Sequence, residues 1–183
     1  MTNLFLSVCM TKNKKKILLL GLANSGKTSI SLSMQNVTDL ISYTSLQPTR
    51  GIEISEFENE DTEFFIWDFG GQEKYREQYK QKLSKYIAET SEIIYVIDIQ
   101  DDNLFFISVV FLREILNILK TAGFVFELSI YFHKFDDNFK PDEEKIKDLL
   151  RIIKEEIPEG FTYKIYHTKI RALFEKKLSP HTV

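Results

Sequence analysis

The plainest chemistry in this sequence lies in eight consecutive residues. Gly21-Leu22-Ala23-Asn24-Ser25-Gly26-Lys27-Thr28 fits G-x-x-x-x-G-K-[ST], a pattern that arises by chance in about one chain in a hundred at average composition. The glycines let the backbone wrap around phosphate oxygens, with N–H groups and a helix N-terminus aimed at them. Lys27 would reach the β- and γ-phosphates, and Thr28 would place its hydroxyl on Mg²⁺. Gly21, Ala23, Asn24, Ser25, Gly26, Lys27, Thr28 and Ser29 are therefore candidate nucleotide contacts.

Two further segments face the same chemistry. Trp67-Asp68-Phe69-Gly70-Gly71-Gln72 closes a strand. An aspartate there can hold Mg²⁺ through water. Gly71 lets a backbone N–H approach a γ-phosphate closely, and Gln72 has the donor and the acceptor needed to orient an attacking water. In Pro48-Thr49-Arg50-Gly51, Thr49 could close over a nucleotide, with its hydroxyl on Mg²⁺ and its N–H on the γ-phosphate. The metal set is thus Thr28, Thr49 and Asp68, and the catalytic set is Gln72, Lys27 and Thr49. Arg50 reads as a solvated loop residue rather than an internal arginine finger.

Base recognition falls to His133-Lys134-Phe135-Asp136. A carboxylate at Asp136 can accept both N1–H and N2–H₂ of guanine, and adenine has no such donor pair, which makes discrimination steep. The Lys134 stem could cover the ring or the sugar. Thr168 and Lys169, after the last strand, could offer backbone N–H to the guanine oxygen.

These residues need a scaffold that brings them to one edge. Residues 16–20 form a short apolar run ending at Gly21, as a buried parallel strand does. A helix follows from about Lys27 to Gln35, and residues 36–51 read as a loop. Strands are expected at Ile52–Phe57, Thr62–Asp68, Ile93–Ile99, Phe124–Phe132 and Phe161–Tyr166. Helices are expected at Glu73–Ala88, Leu104–Lys120, Pro141–Ile157 and Ile170–Leu178. Pro141 suits a first helical turn, with Ile146, Leu149, Leu150 and Ile153 facing inward. Strands alternating with helices mean an open, mostly parallel α/β sheet, which binds ligands at the carboxyl ends of its strands.

Composition narrows the class. The 183 residues make one domain, and 43% apolar with 28% charged content excludes a disordered tail or fibre. No apolar run approaches the roughly 20 residues of a membrane span. The net charge of −3 argues against a broad nucleic-acid surface. Its distribution is uneven: Lys12, Lys14, Lys15 and Lys16 make residues 1–16 basic, and the remainder carries a net of −7. Cys9 is the only cysteine, so no intrachain disulfide can form and a reducing, cytoplasmic location is expected. The second residue is Thr2, so N-myristoylation is not expected, and there is no C-terminal prenylation cysteine.

In this order, the four motifs resemble those of Ras-superfamily GTPases, from Lys16 to about Ile170. His133-Lys134-Phe135-Asp136, Ile94-Tyr95-Val96-Ile97-Asp98 with Gln100-Asp101-Asp102, and Phe126-Glu127 resemble the Rag GTPases. Gly21-Leu22, Pro48-Thr49 and Trp67 through Lys74 equally resemble the Arf and Arf-like group. The resemblance implies a P-loop NTPase G domain with a six-stranded, mostly parallel sheet, its second strand antiparallel, flanked by about five helices. It also implies GTP and GDP as ligands, Mg²⁺ as cofactor, slow hydrolysis, and GTPase-activating and exchange proteins as partners. His133 stands where most small GTPases have asparagine, which puts that residue's contact with guanine N7 in question. Ala23 replaces a glycine found in many Ras-type loops.

The domain division expected is an apolar-then-basic extension at 1–15, the G domain at 16–178 and a tail at 179–183. Leu4, Phe5, Leu6 and Val8 followed by the lysines could anchor at an anionic membrane surface, although a tail or edge segment is the plainer reading. Rag proteins continue into a roadblock domain for which this chain leaves no room, so Rag-like pairing would use the G domain itself or a separate roadblock or longin protein. Two rivals remain. A P-loop kinase or ATPase would need clustered arginines, whereas Arg50, Arg76, Arg113, Arg151 and Arg171 are scattered. A catalytically weak nucleotide-binding module is opposed by Gln72 and Thr49 and kept open by Ala23.

Overall fold

The computed structural model describes residues 12–124 and 127–171. Six strands, β1 (Asn13–Gly21), β2 (Ile52–Glu58), β3 (Thr62–Phe69), β4 (Thr90–Asp98), β5 (Glu127–His133) and β6 (Thr162–His167), form one sheet in the order β2-β3-β1-β4-β5-β6. β2 runs antiparallel to β3, and every other pair is parallel. The α-helices among the described residues are α1 (Lys27–Met34), α2 (Leu40–Thr44), α3 (Glu73–Lys80), α4 (Leu83–Tyr86), α5 (Phe105–Thr121) and α6 (Glu143–Glu156), with a short 3-10 turn at Asp102–Leu104. The expected sheet and its antiparallel second strand are both present.

The apolar run of β1 explains why it sits in the middle. A strand buried on both faces cannot alternate apolar with polar. Leu18 and Leu20 point into a large cluster with Val109, Leu112, Leu116 and Leu119 of α5 and Leu149 and Ile153 of α6. Ile17 and Leu19 point the other way, onto Ile30 of α1, Ile66, Ile94 and Val96. Each fully buried leucine contributes about 1.5–3 kcal/mol.

Several boundaries differ from the sequence reading. The expected helix 73–88 is broken at Lys82, whose φ of −115° and ψ of 5° are not helical. Packing overrides propensity here: Tyr79 and Tyr86 meet Phe69 at 4.8 and 6.0 Å between ring centroids, and Leu83 and Ile87 are buried. The segment read as loop 36–51 contains α2, started by the Asp39 carboxylate accepting from the Ile41 and Ser42 N–H groups. β4 begins at Thr90, three residues early, because Thr90 pairs with Lys16 and Glu92 with Ile17 across a bulge at Ser91, an all-polar start that carries no apolar signal. Pro141 lies outside α6; Asp142 caps it, accepting from Glu144 and Lys145 N–H. Leu150 is 38% exposed rather than inward-facing. The expected helix 170–178 falls almost wholly outside the described residues, and Ile170 and Arg171 are not helical.

Most of the lysine cluster lies within the first strand: β1 starts at Asn13 and includes Lys14, Lys15 and Lys16, with Lys12 just ahead of it. Lys12 pairs with Glu58 at 2.8 Å and Lys14 with Glu63 at 3.4 Å. Lys16 lies over Trp67 at 4.1 Å and donates to Tyr86 O and Ala88 O. No helix of the described residues is long and apolar enough to cross a membrane.

Core and surface apolar residues should separate in unfolding experiments. Leu116→Ala, at a 1% exposed site, is expected to cost about 2–5 kcal/mol in urea denaturation. Phe106→Ala, at a 61% exposed site on the same helix, should stay within about 0.5 kcal/mol.

Candidate functional site

The phosphate loop joins β1 to α1 and owes its shape to local constraints. Gly21 has φ of +144°, and a Cβ there would lie 2.3 Å from Val96 O on the neighbouring strand. Asn24 takes φ of +61°, a conformation that asparagine tolerates well. Gly26 has φ of +92°, and a Cβ on it would lie 2.3 Å from His133 Cδ2. A cavity of about 220 Å³ opens over the loop, lined by Ala23, Asn24, Gly26, Lys27, Thr28 and Ser29 on one side. Pro48, Thr49, Gly71 and Gln72 face them across it.

Lys27 is 5% exposed, and its Nζ donates to Leu22 O at 2.6 Å and Ser25 Oγ at 3.3 Å. Burial lowers its pKa to about 8, opposed by the Asp68 charge and reinforced by Arg76. An anion in the cavity would restore its full charge.

Three oxygens meet at the mouth of the loop. Thr28 Oγ1 donates to Asp68 Oδ2 at 2.5 Å, and Thr49 Oγ1 donates to the same atom at 2.9 Å. The two hydroxyl oxygens are 3.0 Å apart. With both protons directed at the carboxylate, their lone pairs point away from it. Adjacent ligands around an octahedral ion with bonds of about 2.1 Å stand about 3 Å apart, so this pair suits Mg²⁺. Asp68 is 2% exposed, and its Oδ1 is buried without a partner. Burial raises its pKa against the opposing effects of Lys27, Thr28 and Thr49. A cation, directly or through water, would compensate the stranded oxygen.

The Gly70-Gly71 pair is sterically required. A Cβ on Gly71 would lie 2.2–2.4 Å from the Leu22–Ala23 backbone, and one on Gly70 would lie 2.6 Å from Thr49 O. Gly70 N–H donates to Gly51 O at 2.8 Å, so the three loops interlock. Gln72 is the N-cap of α3, and its side chain makes no cap hydrogen bond. Arg50 is exposed and lines the outer groove between the loops with Glu53, Lys74 and Tyr75.

The residues expected to read a base lie at the end of β5 and beyond it. His133 is 2% exposed, with Nδ1 at 2.9 Å from Thr168 Oγ1 and its ring edge against Gly26. Burial, and secondarily the Lys134 charge, lower its pKa to about 4, so it is neutral at pH 7. Lys134 has φ of +64°, and its Nζ pairs with Asp98 Oδ2 at 2.6 Å. Asp136 is exposed, and its Oδ2 accepts from Gln100 Nε2 at 2.9 Å. The Thr168 N–H donates to Phe132 O at 3.0 Å, so it is not available for a base oxygen. Lys169 pairs with Asp137, and both line a groove of about 380 Å³ with Phe135, Asp136 and Thr168.

Apart from Pro48, Thr49 and Arg50, which precede antiparallel β2, these residues stand at the carboxyl ends of β1, β3, β4, β5 and β6 or in the segments that follow them, where such sheets bind ligands. The sequence reading did not name Asp98 and Gln100 as site residues. The signal available was their polarity at the end of an otherwise apolar strand.

The model of the ADP-ribosylation factor family matches residues 1–174. The chain belongs to that family. ADP-ribosylation factor 1 of Brassica rapa subsp. pekinensis is 29% identical over 176 residues, 95% of this chain and 90% of that protein. ADP-ribosylation factor-like protein alp41 of Schizosaccharomyces pombe is 37% identical over 93 residues, 51% of this chain and 46% of that protein. The ADP-ribosylation factor-like protein 3 of Chlamydomonas reinhardtii is 33% identical over 61% of this chain and 59% of its own length. The chain thus spans about half the length of the last two relatives. Among solved structures, the Arl6 (BBS3) small GTPase of Trypanosoma brucei with bound GppNp superposes with a TM-score of 0.63. It is 20% identical and covers 86% of this chain and 87% of its own, a likeness of fold. This Arf-family protein thus falls on the Arf side of the resemblance seen in its sequence, with His133 as its departure.

Because His133 is held neutral in the fold, its protonation opposes folding. The stability it supports is present above about pH 6.5 and is lost as pH falls toward 4. Parent protein is expected to lose on the order of 2–3 kcal/mol more than His133→Asn across that window. Urea midpoints measured at intervals between pH 7 and pH 4 would check this; parallel profiles would contradict it.

Proposed function

We propose that this Arf-family small GTPase is a guanine-nucleotide switch that binds GTP with Mg²⁺ and hydrolyses it slowly to GDP and phosphate. The observation that carries the reading is the convergence of Thr28 and Thr49 on Asp68, with the stranded Asp68 Oδ1 beside them. Thr28, Thr49 and Asp68 would hold the cation, which supplies charge neutralisation at the phosphates when bound.

The chain's own residues do the rest. The phosphate-loop N–H groups and Lys27 bind the β- and γ-phosphates and stabilise charge developing on them. Gln72 accepts a proton contact from the attacking water and donates back to its oxygen, aligning it with the γ-phosphorus. The new P–O bond forms as the bond to the β–γ bridging oxygen breaks, and the water's protons pass to the released phosphate. Intrinsic turnover of such sites can be as slow as about 10⁻⁴ s⁻¹. Thr49 and Gly71 meet the γ-phosphate from two loops, and its loss frees both, an order–disorder switch read by partners. Activating and exchange proteins are the expected regulators. We read the protein as cytoplasmic, with peripheral membrane association through residues 1–16 the secondary reading, since Lys12, Lys14 and Lys16 are engaged with the domain in this structure.

Gln72→Leu is expected to keep GTP binding and to slow single-turnover hydrolysis by about tenfold or more. Equal rates in mutant and parent would remove Gln72 from catalysis, and no measurable turnover by the parent would favour a non-catalytic nucleotide-binding module. Asp136→Asn should lose guanine preference and gain xanthine nucleotides, as tested by competition with labelled GDP; unchanged selectivity would refute the base assignment.

A further inference from the structure

We propose that Gln100 is the positioning residue that sets guanine selectivity, by holding the Asp136 carboxylate and the left-handed Lys134 backbone together. The inference rests on the reading of Asp136 as the base acceptor and adds a residue that no motif identifies.

The geometry is specific. Gln100 Nε2 lies 2.8 Å from Lys134 O and 2.9 Å from Asp136 Oδ2. A carboxamide nitrogen has two hydrogens, and both neighbours are acceptors only. The amide orientation is therefore settled by chemistry: with the groups exchanged, its oxygen would face a carbonyl and a carboxylate. Gln100 is itself placed from β4, its N–H donating to Asp98 Oδ1 at 3.0 Å. Asp98 uses its other oxygen on Lys134 Nζ. The end of β4 thus grips the base loop twice, by Asp98 on the lysine side chain and by Gln100 on the lysine carbonyl and the aspartate.

The loop needs such a grip. Lys134 holds φ of +64° without being glycine, a conformation costing about 1 kcal/mol or more that persists only where neighbours impose it. On the far side, Phe135 N–H donates to Thr168 O and Phe139 N–H to Asp136 O, which fix the loop backbone and leave the Asp136 carboxylate free to rotate. Gln100 holds one carboxylate oxygen. A carboxylate oxygen has two acceptor sites, so Oδ2 can keep Gln100 and still accept from a base. A purine amine and ring N–H meet both oxygens only if the carboxylate plane is fixed, and Gln100 fixes it.

The test compares GDP with IDP, which lacks the N2 amine, in Gln100→Met, a variant of similar volume with no donor. The GDP-to-IDP affinity ratio is expected to fall about tenfold, with IDP affinity itself changing less than about threefold. A ratio unchanged from the parent overturns the proposal, whether both affinities fall together or neither moves. Gln100→Asn, which keeps the donor one methylene short, supplies the same ratio if Gln100→Met does not fold. Asp136→Asn runs alongside: if it leaves GDP preferred over XDP, the base reading itself has failed; if it reverses the preference while Gln100 variants keep the parent ratio, only the role of Gln100 is lost.

Discussion

The carboxylate of Asp68 is the constraint around which the phosphate end is arranged. It is buried at the end of β3, where an ionised group is costly unless it is compensated. Its compensation comes from three groups on two separate parts of the chain: the Lys27 charge and the Thr28 hydroxyl at the start of α1, and the Thr49 hydroxyl on the loop before β2. Those contacts bring a loop more than twenty residues away in sequence over the phosphate loop. They also leave Asp68 Oδ1 without a protein partner. A site compensated on one oxygen only is close to balance, so whatever arrives at the other can decide how firmly the loops close.

Steric closeness makes that arrangement selective. Gly71 lies so near Leu22 and Ala23 that no side chain fits, and a Cβ on Gly70 would likewise clash with Thr49 O, at 2.6 Å. The loop after β3 is thereby pressed between the phosphate loop and the segment that carries Thr49. Movement in any one of these three must displace the others, because each contact is backbone against backbone. This close packing gives a steric reason for two glycines ahead of Gln72.

Much of this was legible in the sequence, for identifiable reasons. The buried run Ile17–Leu20 marks a central strand, and Gly21 through Thr28 state their own geometry because glycine and a helix start leave few alternatives. Asp68, Gly71 and Gln72 could be read because they sit at a strand end beside that loop. What the sequence withheld was set by contacts between distant segments. The break at Lys82 depends on aromatic packing around Phe69. The use of the lysines depends on Glu58, Glu63 and Trp67, which only the sheet brings near. The commitment of the Thr168 N–H to Phe132 O is a tertiary hydrogen bond invisible to any local pattern. Gln100 and Asp98 were hidden for the same reason: their partners lie more than thirty residues away.

His133 joins the two ends of the site, and its ring chemistry explains how it can stand where an amide is usual. Nδ1 is taken by Thr168 Oγ1, on the loop after β6, and the opposite edge of the ring lies on Gly26. Contact of that kind needs a flat side chain against a residue with no Cβ, and Gly26 meets the second condition while its positive φ independently requires glycine. The neutral ring therefore stands between the phosphate loop and the loop after β5, with Nδ1 engaged by Thr168 and its Cδ2–Nε2 edge against Gly26. Asp136, the acceptor in the proposed base reading, is exposed, and what holds it is the segment at and just after the end of β4. The same strand end touches both halves of the problem: Gly21 pairs with Val96 within β4, and Asp98 and Gln100 reach the base loop two and four residues later. One strand thus sets the distance between the phosphate loop and the loop that carries Lys134 and Asp136.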